Sequence, residues 1–98
     1  MKFIKAVIDT WKALSNPAIQ SNLESNIKRS EDGSRLIIEV TTKQYFATIE
    51  AWEQAYSMDI TIVELISNTG VLLSAGECTS LDEMNERITL LCEMLFKE

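Results

Sequence analysis

No histidine occurs among the 98 residues, proline occurs once and glycine three times, and the only cysteines are Cys78 and Cys92. Without histidine the chain lacks the usual zinc ligand and the usual general base, so histidine-dependent catalysis is excluded. The cysteine pair has neither metal-ligand nor redox spacing. Long apolar runs are missing too: none approaches the roughly 18 residues needed to cross a bilayer. Lys5, Asp9 and Lys12 interrupt the first apolar stretch, so it does not form the core of a secretory signal. A cytoplasmic protein with no membrane association is therefore expected. What is present is ordinary for a globular chain, with 46% hydrophobic and 24% charged residues, which excludes disorder and collagen-like architecture. At this length one core can be filled, so residues 1–98 are expected to form a single domain.

Charge is distributed unevenly. Residues 1–30 hold five Lys/Arg and two acids, net +3, whereas residues 31–98 hold four Lys/Arg and thirteen acids, net −9, which together give −6. Nucleic-acid binding requires a basic stripe that neutralises phosphates, and a segment of this charge repels a polyanion. Direct nucleic-acid binding is set aside. Acidity suits a basic protein partner, because complementary potential speeds encounter and rejects wrong partners, although it also serves plain solubility.

Phe3, Ile4, Val7, Ile8, Trp11 and Leu14 recur at helical spacing and predict an amphipathic helix from about Lys2 to Ser15. Pro17 ends or kinks it, and Ile19, Leu23 and Ile27, four apart, predict a second helical piece. The polar stretch Lys28–Ser34, with the turn pair Asp32-Gly33, separates helix from sheet. From Arg35 the period becomes two, with Leu36, Ile38 and Val40 on one face. Alternation continues through Tyr45–Gln54 and through Ser57–Ile66, and after a turn at Asn68-Thr69-Gly70 a short strand is expected from Val71 to about Gly76. Ser80 and Glu83 form an S-x-x-E capping box that opens a C-terminal helix with Leu81, Met84, Ile88, Leu91 and Leu95 on one stripe and Cys92 beside it. The fold class predicted is α+β: a four-stranded antiparallel meander with N-terminal and C-terminal helices packed on one face, a two-layer sandwich.

If Leu36, Ile38, Val40, Ile49, Ile60, Ile62, Val71 and Leu73 meet the helices, the opposite face displays Glu39, Phe46, Glu50, Trp52 and Asp59. Acid beside exposed aromatics is the composition of a protein-binding face: a large ring anchors much area, and surrounding acids pair with a partner's Lys and Arg. Trp52 is the strongest candidate anchor, with Glu50, Asp59, Glu39, Phe46 and Glu53 around it. A one-residue register shift would turn Trp52 inward instead, and Phe46 also reads as cover for an edge of the core. Glu50, Glu53 and Asp59 invite a catalytic or cation-binding reading, but paired catalytic acids need a dry cleft, and a solvated sheet face carries acids routinely. Cys78 lacks a base to activate it, while Cys92, Trp11 and Met84 read as core. No residue pattern implies a cofactor, a metal or an enzyme.

The order of elements, the run Ile49-Glu50-Ala51-Trp52, the alternating strand Ser57-Met58-Asp59-Ile60-Thr61-Ile62 and the capped helix at Ser80-Leu81-Asp82-Glu83 together resemble the TriTu family of immunity proteins. The likeness spans most of the chain. It carries over residue by residue at Trp52 and Asp59, and where the family often has glycine in the turn after the tryptophan, this chain reads Glu53-Gln54-Ala55. The resemblance implies an acidic cytosolic immunity protein of bacterial contact-dependent growth inhibition. Its implied partner is a cognate toxin nuclease domain that cleaves tRNA and operates with elongation factor Tu, within a ternary complex if the factor joins. The alternative from the residues is a small, acidic, dimeric secretion chaperone that binds an effector segment along a sheet or groove.

Overall fold

Apolar residues spaced three and four apart build α1, Lys2–Ser15, and bury Phe3, Ile4, Val7 and Trp11 along one stripe. The structure, a computed structural model, describes residues 2–15 and 24–96. Pro17, Ile19 and Leu23, which were to start a second helix, lie outside the described residues. Five strands follow: β1, Glu24–Arg29; β2, Arg35–Thr41; β3, Tyr45–Trp52; β4, Ser57–Glu64; and β5, Thr69–Ser74. The helix α2, Leu81–Leu95, comes last. The strands form one antiparallel open sheet in the order β1-β2-β3-β4-β5.

Alternation decides which sheet face is buried. Leu36, Ile38 and Val40 of β2, Ala47, Ile49 and Ala51 of β3, and Met58, Ile60 and Ile62 of β4 share one face. They join the buried stripes of α1 and α2 in a single cluster, so both helices cover the same side. Ala47 and Ala51, small residues on the central strand, leave room for α1 to approach the sheet.

Expectation and structure part in four places. The sheet has five strands, not four, because Ile27 belongs to β1 and pairs with Ile38, where a helix was expected. The last strand begins at Thr69, since the turn uses the residues after Glu64, and Asn68 takes a positive φ of 55°. Val71 is thus not core: it lies on the helix-facing side at the sheet edge, 54% exposed, while Leu73 packs partly against the core. Leu81, in the first turn of α2, is also exposed, at 55%.

The expected cap forms with one change of partner. The Ser80 hydroxyl accepts from the Glu83 N–H at 3.1 Å, but the Glu83 carboxylate reaches past Ser80 to accept from the N–H of Thr79 at 2.8 Å and from its hydroxyl. Such a cap stabilises a helix by about 1 kcal/mol. Glu83 also holds Arg87 at 2.6 Å, and Arg87 donates to the carbonyls of Gly76 and Glu77 at 3.0 Å each. One guanidinium thereby ties α2 to the loop that follows β5.

These bonds make the cap sensitive to acid. Hydrogen bonds from the Thr79 side chain and backbone, then from Arg87, lower the Glu83 pKa to about 2, and those from Ser34 and Ser30 lower that of Asp32 to about 2. Both groups ionise more readily folded than unfolded, so their stabilisation is full above the ordinary carboxylate range and lost as pH falls toward about 2. Unfolding midpoints in urea should therefore drop between about pH 4.5 and pH 2. Glu83→Gln should flatten that fall, and parallel pH profiles for wild type and variant would show that Glu83 contributes nothing to it.

Candidate functional site

With both helices on one side, no described element covers the other face of the sheet. Strand parity places Glu24, Asn26 and Lys28 of β1, Arg35, Ile37, Glu39 and Thr41 of β2, Phe46, Thr48, Glu50 and Trp52 of β3, and Asp59, Thr61 and Val63 of β4 on this outer face. Trp52 accordingly faces out and is half-buried, not folded into the core. Its neighbour across the strand pair is Arg35, whose guanidinium carbon stands 5.8 Å from the indole centroid. The same guanidinium binds Glu50 at 2.9 Å. Arg35 thus fixes an aromatic ring and a carboxylate side by side.

Glu50 also sits directly opposite Asp59 in the β3–β4 register. Like charges facing across an antiparallel pair are destabilising. Here each has a separate partner: Arg35 neutralises Glu50, and the Gly76 N–H donates to Asp59 at 3.2 Å. One step along, the hydroxyls of Thr48 and Thr61 bond across the same strands at 2.5 Å.

Phe46 and Glu39 lie toward the other end of the face. They line an open hollow of about 270 Å³ with Glu24, Ser25, Asn26 and Thr41. Glu39 pairs with Lys28 at 2.9 Å. Five of the six candidate residues therefore share the outer face, in two groups: Trp52, Glu50 and Asp59 in one, Phe46 and Glu39 in the other. Across the face four carboxylates, Glu24, Glu39, Glu50 and Asp59, stand against two cations, Lys28 and Arg35, so its acidity is modest.

Glu53 is not in either group. Its two carboxylate oxygens accept from the N–H groups of Phe3 and Ile4 at 3.0 and 3.1 Å, at the start of α1. Carboxylates are favourable at a helix N-terminus, where unpaired N–H groups and the helix dipole meet them. Although β3 ends at Trp52, Glu53 keeps the phase of Ile49 and Ala51 and lies on the helix side, away from the face that holds Trp52. In the same turn Tyr56 takes a positive φ of 47° and stacks on Phe3 with centroids 5.1 Å apart. That is the left-handed backbone a turn glycine adopts freely and a side chain adopts at a cost of about 1–2 kcal/mol.

A second acidic surface was not among the candidates. Asp82, Glu86 and Glu93 project from the exposed side of α2 and, with Asn85, Thr89 and Leu90, border an open hollow of about 540 Å³. Within the described residues no ion pair engages these three acids. Their helical spacing off the apolar stripe was the signal that marks them.

Neither cysteine is poised as a nucleophile. Burial raises the thiol pKa of Cys92 to about 11 and also raises that of Cys78, so both stay protonated at neutral pH. Among the described residues no cluster of His, Cys, Asp and Glu has the arrangement of a metal site, and no helix is long and apolar enough to cross a membrane.

Comparison of this chain with protein-family models, with curated proteins and with solved structures finds no match.

Proposed function

We propose that this is a cytoplasmic immunity protein that binds a cognate contact-dependent inhibition toxin domain, a tRNA-cleaving nuclease, and occludes its basic cleft. The observation that carries the reading is the uncovered sheet face on which Trp52 stands beside two carboxylates, Glu50 and Asp59, placed opposite each other. A fold built for stability alone gains nothing from facing like charges. A binding site does gain: although Arg35 and the Gly76 N–H already hold the two carboxylates, an incoming Arg or Lys adds a charged partner for both. Arg35 prepares the site: by holding Trp52 and Glu50 in fixed positions before the partner arrives, it reduces the side-chain entropy lost on binding. The TriTu resemblance rests on the same segment, Ile49–Trp52, and on Asp59, and it supplies the partner class.

The mechanism is steric and electrostatic. The acidic face occupies the place of the tRNA backbone, the aromatic anchor fills a pocket, and the surrounding acids steer encounter. No chemistry is asked of the protein. Replacing both Glu50 and Asp59 with Lys should slow association with the nuclease domain by about tenfold or more at low salt and remove most of its salt dependence. Stopped-flow rates that ignore both the substitutions and the salt concentration would refute steering by this face.

The secretion-chaperone reading keeps one specific observation in its favour: β5 is a sheet edge with exposed Val71 and Leu72, to which an extended effector segment can add as a strand. Assay of tRNA cleavage separates the two, since an immunity protein stops its partner's cleavage whereas a chaperone binds its effector segment away from any active site.

A further inference from the structure

The two edges of the sheet are unlike. At one edge β1 carries Glu24, Lys28 and Arg29, the charges that discourage an edge strand from pairing with another chain. At the other, β5 reads Thr-Gly-Val-Leu-Leu-Ser and carries none. The uncharged run extends on both sides of it, from Leu65 to Gly76, in a chain of which 24% of residues are charged. It also gathers much of the exposed apolar surface, with Ile66 at 90%, Leu72 at 59%, Val71 at 54% and Leu65 at 46% exposure. Val71 and Leu72 point to opposite faces of the sheet, so β5 is apolar on both sides of its free backbone. Beside it, on the helix side, an opening of about 300 Å³ is bordered by Tyr45, Ile62, Val71 and Met94. Among the described residues nothing covers this edge.

We propose that β5 is the seam of a homodimer in which two copies pair their β5 strands antiparallel and join two five-stranded sheets into one. A second copy fits for reasons of charge and symmetry. Two chains of net charge −6 repel over most of their surface, and the run from Leu65 to Gly76 is where they can meet without placing carboxylates face to face. A two-fold axis normal to the sheet keeps each side chain on its own face, so one residue must lie opposite its own copy, and the middle of Thr69–Ser74 offers Val71 or Leu72. Either choice sets an aliphatic pair at the centre and uncharged residues on both sides. Five paired residues and their flanks bury on the order of 1,000 Å², at the low end for specific interfaces, so the dimer dissociates in the micromolar range. The outer face of each copy stays open for the partner of the immunity reading, whereas the seam occupies the edge to which a chaperone's effector segment would add.

Sedimentation equilibrium on the full chain, from about 1 to 500 µM, tests the seam across that range. The mass should rise with concentration from one chain to two. Added salt should strengthen the association, because it screens the repulsion between two chains that each carry a net charge of −6. Leu72→Lys and, separately, Val71→Lys should raise the dissociation constant at least tenfold, since each sets like charges across or beside the axis. Both positions are more than half exposed, and circular dichroism should show the monomer fold retained. A wild-type chain that stays monomeric at 500 µM, including one whose β5 amides gain exchange protection only when a partner protein is added, overturns the proposal. So does a dimer that both lysine variants leave intact.

Discussion

Trp52→Ala is expected to weaken binding of the toxin nuclease domain by about 2–4 kcal/mol, or roughly 30- to 1,000-fold, the range of an aromatic interface anchor. The tryptophan is half-buried on a face that no described element covers, so its ring has area left to give to a partner. Arg35 already holds it, and the complex therefore gains ring burial without first having to immobilise the side chain. Folding should suffer much less. Within the protein itself the substitution removes one cation–π pair at the surface, worth about 0.5–1 kcal/mol. Calorimetric titration of wild type and variant, with urea melts of both, separates the two effects. Unchanged affinity would remove Trp52 from the interface, and a loss of stability as large as the loss of binding would make it a structural residue.

Trp11→Ala should do the reverse. Trp11 is 1% exposed on α1, in the cluster that joins both helices to the sheet. Removing a buried indole costs about 3–5 kcal/mol, because the neighbours collapse only partly into the space. Against a total of about 5–15 kcal/mol for a small domain, this leaves the variant near the edge of unfolding. The urea midpoint should fall accordingly, while any protein that remains folded keeps its partner affinity. A shift of less than about 1 kcal/mol would mean that Trp11 contributes little to the packing of α1. These are the only two tryptophans in the chain, so each single variant leaves one reporter: Trp11 for folding and Trp52 for docking.

The contrast between these two residues was largely legible in the sequence. Trp11 recurs with aliphatics at helical spacing, which places it in the core, and Trp52 alternates with Ala51 and Ile49 in a strand of period two, which favours the outer face but leaves the inward orientation open until the register is seen. The strands β2, β3 and β4 were readable for the same reason, since each buries one face and wets the other. Period failed where only one apolar residue marks an element. Ile27 is the single such residue in β1, and it falls four places after Leu23, a spacing that reads equally as helix. Composition misled at the β4–β5 turn, where Leu65 and Ile66 look like strand and Thr69-Gly70 looks like turn, while the pairing of Glu64 with Thr69 makes the reverse true.

The candidate site was legible to the extent that strand parity held. Glu39, Phe46, Glu50, Trp52 and Asp59 reach one face because they lie within strands of known phase. Glu53, one residue past β3, keeps the phase of Ala51 and so falls on the helix side, and its partners at the start of α1 are some fifty residues away in sequence. The acids along α2 follow from their spacing off the apolar stripe, but the facing of Glu50 and Asp59, and the bond of Arg35 to Glu50 and its approach to Trp52, depend on register that no single segment reveals. Arg87 belongs with them: its place off the apolar stripe was evident, but its bonds to the loop after β5 depend on how α2 docks.

The immunity reading is tested most directly by adding the purified protein in graded amounts to the tRNA-cleaving toxin domain that it captures from its native lysate, and following cleavage of tRNA. The account predicts that a basic nuclease domain of a large exported protein is captured, alone or with elongation factor Tu, and that cleavage stops at one protein per toxin domain. Trp52→Ala should then restore cleavage at the same ratio. Capture of an effector without nuclease activity, or cleavage that continues with the protein in excess, would contradict it.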